Sequence, residues 1–527
     1  MAYGAELHRD NRMSLDQLIA LSDPDAHLTV GQDVWDLIKE RRHYLTKHMA
    51  IEAIYGANTG VGSMKTYRPS PHQIGAFNDR LIRDHVAGFG RTLDRRVARL
   101  MMAVRIIELA QGGSGISPGA YQALVDAYNA GLTPVVPMQG SLGEGDITLL
   151  AHMAYALKGQ GKMWRSSGRC INAARALKEA GLTKLRLEAR DALALMGSNA
   201  YTAAVVIDVL DTWRQVRDAA IPVLALSWVA WRANPNSLKE KALSLVSSFV
   251  AQVGREVLAW IADTAPTPRD IQDPLSWRCA PHVMGALDRA AGELKAAVES
   301  LVQQPRDNPV ILDDTDIVSN GNFDATDLSI RIDAVRNALA RVVGQQAQRV
   351  TKLLNHHYSG LAPGLAHPYG DAGLGLLEFN VSALMTEVQW LSQGPLMQWG
   401  DVAEGVEDYG SLASVSALRL QQLIGLWKTM TATEWITAGH AIRTQNIGVV
   451  GPLGACYEYT VYSEGTSAVT PYDRVRRMEK VIATGAILFS EPNLNDREVL
   501  PRNFPGHAPR DGATAASLDM IKEHPSD

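Results

Sequence analysis

Cysteine is scarce: only Cys170, Cys279 and Cys456 occur in 527 residues. They are too few and too scattered for a disulfide framework or a CxxC metal site. A surplus of one charge is lacking too. Lys and Arg total 51 against 56 Asp and Glu, a net charge of −5, so neither nucleic acid nor an anionic membrane surface is expected as a partner. The longest strongly apolar run, 219–231, falls short of the ~20 residues that span a bilayer. The N-terminal MAYGAELHRDNR has no apolar signal core, which leads to the expectation of a cytoplasmic chain.

Common cofactor signatures are also missing. No GxGxxG opens a helix, and Gly159-Gln160-Gly161-Lys162 lacks the upstream glycine and the following Ser or Thr of a phosphate loop. Neither HExxH nor GxSxG occurs. His356-His357 has no nearby third ligand, so neither a metal nor another cofactor is expected.

What is present is helical periodicity. Val97, Leu100, Met101, Val104 and Ile107 recur at steps of three and four before Gly112-Gly113. A longer stripe, Ile332, Val335, Leu339, Val342, Val350 and Leu353, predicts a helix over about 327–355. Similar patterns cover about 200–232, 239–262, 282–303 and 412–444, while strand alternation is short and rare. The fold class expected is all-α, a bundle of long helices behind a loop-rich N-terminal part. The expected division is residues 1–200 and 201–527, with an irregular proline-rich stretch from about 490.

Three segments look like site loops. Tyr55-Gly56-Ala57-Asn58-Thr59-Gly60-Val61-Gly62 could hold a phenol at a cleft, and a phenolate can act as a general base. The plainer alternative is a packed tyrosine on an ordinary turn. In Gly140-Ser141-Leu142-Gly143-Glu144-Gly145-Asp146, the glycines bring backbone amides close to a ligand. Here the alternative is a plain loop with Asp146 capping the next helix. The third is a window without Lys or Arg, 353–418, which holds Asp371, Glu378, Glu387, Asp401, Glu404, Glu407 and Asp408 among Phe379, Trp390, Trp399 and Tyr409. Carboxylates beside aromatic faces suit a quaternary ammonium, or else form a solvated acidic face.

Taken together, these segments resemble the histidine/phenylalanine ammonia-lyase family. Tyr55 to Gly62 resembles YGxNTGxG, which implies a catalytic tyrosine. His85 falls in a stretch similar to SHxxGxG, and Met101 to Gly115 in one similar to MMxLRxxxLAxGxSG. Pro134 to Gly161 resembles PxVPxxGSVGASGDLAPLAHxxLxLxGxG. Gln272 to Cys279 resembles QDPYSLRC, which implies that Gln272 and Arg278 bind the substrate and its carboxylate. Asp307-Asn308-Pro309 and Ser319 to Phe323 resemble DNP and SGGNF, while Val406 to Tyr409 stands where the family has QEDH and a site glutamate.

There are also departures from the family pattern. The family builds an electrophilic methylidene-imidazolone from Ala-Ser-Gly, a tripeptide absent from this chain. Glu144-Gly145 stands in its place, one residue shorter. Gly197 takes the position of a site asparagine, Leu275 that of the tyrosine in QDPYS, and the lysine near 387–391 is missing. A quaternary ammonium cannot add to an electrophile and leaves as a neutral amine. The resemblance is therefore to the electrophile-free branch that releases trimethylamine from a histidine-derived betaine such as ergothioneine. It implies Tyr55 and Glu407 as catalytic residues. Arg278, Gln272, Asn308, Phe323, His85, Glu144 and Glu378 are implied as substrate-binding residues, in a homotetramer with shared active sites. Two alternatives stay open: a lyase or isomerase for another cationic aromatic amino acid, and an inactive homologue acting as an assembly partner.

Overall fold

The computed structural model describes residues 3–264, 266–366, 371–394, 400–464 and 469–485. Trp399 and the stretch from 490 lie outside the described residues. Apolar stripes become long helices: Arg95–Ala110, Ala200–Trp231, Ala280–Leu301, Thr326–Leu354 and Ala413–Thr444. The 29-residue Thr326–Leu354 helix is roughly 43 Å long at 1.5 Å per residue. One expected helix is broken. Residues 239–262 form Glu240–Leu243 and Ser248–Ile261, because Ser247 adopts extended backbone (ψ 154°) as the N-cap of the second.

One segment departs from the sequence-based expectation on membranes. The continuous stretch Asp191–Trp231 is long and apolar enough to cross a bilayer, with a mean hydropathy of 1.5 in its most apolar window. That window is 89% buried within the protein, as befits the core helix of a globular bundle.

The chain divides into two compact units. Unit one comprises 1–211, 290–337 and 391–423; unit two comprises 212–289, 338–390 and 424–527. In unit one the Arg95–Ala110 helix is buried along almost its whole length. It stops where Gly112 takes φ +80°, and a Cβ there would meet Leu37 Cγ at 2.6 Å. The sheets are small. Gly4–Leu7 runs parallel to His27–Val30 with Gly4 opposite His27, and Thr133–Pro134, Lys162–Trp164 and Cys170–Asn172 form a three-stranded ribbon. Phe89–Thr92 pairs antiparallel with Pro137–Gln139, which fixes the start of the 140–146 loop.

In unit two, buried ions are paired. Arg217 bridges Glu256 at 2.7 Å and Asp288 at 2.8 Å. Arg349 holds Glu434 through two nitrogens, and its Nη1 reaches the Ser276 carbonyl at 2.8 Å. Such pairs must stay complete, since removing one partner strands a buried charge.

Candidate active site

The Tyr55 loop rests on a small apolar cluster of Leu45, Ile54, Ala57 and Ile311. Asn58 fixes its backbone, accepting from the Ile54 amide at 2.7 Å and donating to the Met49 and Glu52 carbonyls. Gly56 has φ +64°, and a Cβ there would lie 2.3 Å from Leu193 Cδ2, so this turn requires glycine. The chain then curls back until the Gly62 amide donates to the Tyr55 phenolic oxygen at 2.8 Å. The phenol is half-buried. Burial raises its pKa above the ordinary phenol value. The Gly62 amide opposes this, the Glu407 charge adds to it, and the Arg190 guanidinium pulls the other way.

Arg190, left-handed at φ 76° and fully buried, ties several loops together. Its Nη1 donates to the Asn308 carbonyl at 3.0 Å and the Tyr55 carbonyl at 3.3 Å; Nη2 reaches the Pro309 carbonyl at 2.9 Å. Burial lowers its pKa to about 10, so it stays cationic at neutral pH. Through it Tyr55 and Asn308 share one scaffold. The Asn308 side-chain oxygen accepts from the Asn320 amide at 3.0 Å, joining the two motifs that flank it.

The 140–146 loop is anchored at both ends. Asp146 occupies the N-cap position of the Ile147–Leu157 helix without capping it. Its carboxylate instead accepts from the Ser141 hydroxyl at 2.6 Å, the Thr202 amide at 2.8 Å and the Thr202 hydroxyl at 3.0 Å. The local reading of Asp146 as a helix cap is corrected: its side chain makes no bond to the helix's first amides and is taken up by Ser141 and Thr202. Burial pushes its pKa up to about 6. The start of the Ala413–Thr444 helix clamps the other side. Leu412 N donates to Leu142 O at 2.8 Å, and the Ser411 and Ser414 hydroxyls donate to Gly143 O and Ser141 O.

Glu144, between these anchors, accepts from the Ser411 amide at 2.7 Å. Its pKa is pushed up to about 7, first by burial and further by the Asp324 carboxylate, against the Ser411 amide. Beneath lies a buried charge network. Arg105 binds Glu108 at 2.9 Å and Asp307 at 2.7 Å, and the Ser198 hydroxyl donates to Glu108. Arg306 donates to the Asp324 carbonyl and feels the charges of Glu108, Asp324 and Glu144. Sequence reasoning had missed Arg306 and Asp324; the only local signal was that they abut the Asp307-Asn308-Pro309 and Asn322-Phe323 motifs.

Phe323 is half-buried in unit one. His85 ends the Ile74–His85 helix with Nδ1 on the Leu81 carbonyl at 2.7 Å. Glu407, also half-buried, sits in a narrow bridge with Val402. Among the described residues, the acidic window is divided between the two units. Glu407 and Tyr409, the latter bonded to Thr326, belong to unit one. Glu378 lies in the first turn of the Leu377–Ser392 helix, whose Phe379 and Trp390 are solvent-exposed, in unit two.

Unit two also contains a cavity of about 480 Å³ lined by Trp231, Arg269, Gln272, Arg278, Lys352 and Tyr358, among others. Arg278 donates from Nε to the Asp273 carbonyl at 2.7 Å. With its amide oxygen turned toward the guanidinium, Gln272 accepts from both Arg278 Nη atoms at 3.0 Å. The two sequence-predicted ligands are therefore brought together. Arg269 stacks over Trp231 at 4.8 Å, and the lining mixes Arg269, Arg278 and Lys352 with Asp270 and Asp273. No group of three or more His, Cys, Asp or Glu suited to a metal ion occurs among the described residues.

Comparison with known proteins agrees with these motifs. The model of the family described as aromatic amino acid lyase matches residues 13–458. The histidine ammonia-lyase of Enterobacter sp. (strain 638) is 32% identical over 401 residues, 74% of this chain and 78% of the relative. That of Geobacillus thermodenitrificans is 30% identical over 407 residues, 76% of this chain and 81% of the relative. Among solved structures, the ergothioneine-degrading ergothionase of Treponema denticola, in complex with desmethyl-ergothioneine sulfonic acid, superposes with a TM-score of 0.86 at 22% identity, covering 92% of this chain and 99% of that one. The Pantoea agglomerans phenylalanine aminomutase gives 0.85 at 21% identity, covering 92% and 100%. The chain belongs to the aromatic amino acid lyase family.

Proposed function

From that membership, we propose that the protein is a carbon–nitrogen lyase that eliminates trimethylamine from a histidine-derived betaine, converting ergothioneine to thiourocanate. The observation that carries the reading is the 143–146 segment. Gly143 and Asp146 are both anchored, and only Glu144 and Gly145 stand between them. The family's methylidene-imidazolone needs Ala-Ser-Gly at this place, so the residues present do not fit it.

The chemistry then needs a base, a place for the cation and a donor for the carboxylate. The Tyr55 phenolate takes the proton from the carbon next to the ring. The C–H electrons form the new C=C bond, and the C–N electrons leave with neutral trimethylamine. A cation bound near Tyr55 favours the phenolate and offsets the rise that burial imposes. Glu144 and Glu407 supply negative charge toward the ammonium; Glu378, Phe323, His85 and Asn308 shape the pocket. Arg278, with Gln272, takes the carboxylate in the planar fork that a guanidinium offers. The working form is a cytoplasmic homotetramer with shared sites.

The test is to add ergothioneine to the purified protein and measure trimethylamine together with an ultraviolet-absorbing conjugated acid. L-Histidine and L-phenylalanine should be inert. Efficient ammonia release from either would overturn the reading. It would support instead a lyase for ordinary aromatic amino acids, which the identity to histidine ammonia-lyases favours.

A further inference from the structure

Family resemblance assigns the substrate carboxylate to Arg278, yet three nitrogens of that guanidinium are already engaged in unit two by Asp273 and Gln272. Unit one contains a guanidinium in the opposite situation. Arg306 Nη2 donates to the Asp324 carbonyl, whereas its Nε is buried with no hydrogen-bond partner among the described residues. Glu108, Asp324 and Glu144 are the carboxylates whose charge reaches Arg306, and none of them fills that Nε. A buried N–H stripped of water and left unpaired is costly, and a charged donor gains most from an anionic oxygen.

Its surroundings specify which anion. Glu144 and Arg306 meet at Asp324 in the same unit, the Glu144 carboxyl against the Asp324 side chain and the Arg306 guanidinium on the Asp324 carbonyl, and when Glu144 is ionised the two carry opposite charges. An α-ammonio carboxylate carries the same two charges one carbon apart. We propose that Arg306 is a substrate-binding residue of unit one, its free Nε taking a carboxylate oxygen of a zwitterion whose ammonium lies against Glu144. This rests on the reading above that the site receives an ammonium substrate.

Calorimetric binding to the full-length protein tests it with two ligand pairs: N,N,N-trimethylhistidine against N,N,N-trimethylhistamine, and L-histidine against histamine. The wild-type protein should prefer the carboxylate-bearing member of at least one pair. In R306Q that preference should fall roughly 10- to 100-fold, the loss expected for one charge-assisted hydrogen bond. R306K keeps the positive charge facing Glu108, Asp324 and Glu144, so it guards against misfolding, and it should lose part of the preference because it lacks the fork. An unchanged preference in both variants, with the loss confined to R278K, overturns the proposal. So does a wild-type protein with no preference to lose. The histidine pair reports on Arg306 even if trimethylamine release fails, so the two ideas can fall separately.

Discussion

The Ser411 amide donates to the Glu144 carboxylate at 2.7 Å, across 267 residues of sequence. This bond places an acid where the family pattern has its electrophile, and ties that acid to the segment that starts a 32-residue helix. Because the Glu144 pKa is raised to about 7, its charge changes within the working pH range.

A pH dependence follows. If ionised Glu144 holds the ammonium, kcat/KM for a cationic substrate should rise as pH increases through about 7. E144Q should remove that limb and lower kcat/KM throughout. Stability runs the other way. A folded pKa above the ordinary glutamate value of 4.5 means that the protonated carboxyl is favoured in the folded state. Its contribution is complete below about 4.5 and is lost as pH rises through about 7. E144Q should therefore gain in Tm relative to wild type at pH 8 but not at pH 4. A wild-type rate profile flat from pH 6 to 8 would remove Glu144 from cation binding.

Tyr55→Phe should reduce kcat by roughly 10²–10⁴-fold, the usual worth of a general base, while substrate affinity stays close to wild type. The ring keeps its place, since Asn58 and Gly56 still hold the loop and the change removes only the phenolic acceptor of the Gly62 amide. Near-normal kcat, with folding verified by circular dichroism, would make Tyr55 structural and direct the search for the base to Glu144 or Glu407.

Asp146→Ala should destabilise the protein by about 1–3 kcal/mol, because the buried Thr202 amide and the Ser141 hydroxyl lose their acceptor. Asp146→Asn, which keeps one acceptor oxygen, should cost less. Urea denaturation of both variants checks the order; equal midpoints for wild type and Asp146→Ala would show that the anchor is dispensable.

The intact mass of the purified protein should equal the encoded mass, without the loss of two waters that a methylidene-imidazolone entails, and borohydride should leave activity unchanged. A dehydrated species would mean that the Glu144-Gly145 loop can cyclise after all.

Much of the architecture was legible locally. The stripes at 97–107 and 332–353 predicted the Arg95–Ala110 and Thr326–Leu354 helices to within a residue or two, because burial along one face imposes a period of 3.6 that a sequence shows directly. The glycines of the Tyr55 loop marked a special turn for the same reason: a steric demand at Gly56 is met by one residue type. The missing Ala-Ser-Gly was likewise a fact of sequence alone. Other features depend on partners far along the chain. Asp146 read as a helix cap until Thr202 and Ser141 were seen to claim its carboxylate. Glu144 is raised by burial and by Asp324, while Arg306 was given an unfilled Nε by the packing around it. Periodicity and glycine placement are written in neighbours a few residues apart. Proton affinity and hydrogen-bond satisfaction are sums over whatever the fold brings within a few ångströms, so only the tertiary structure could decide them.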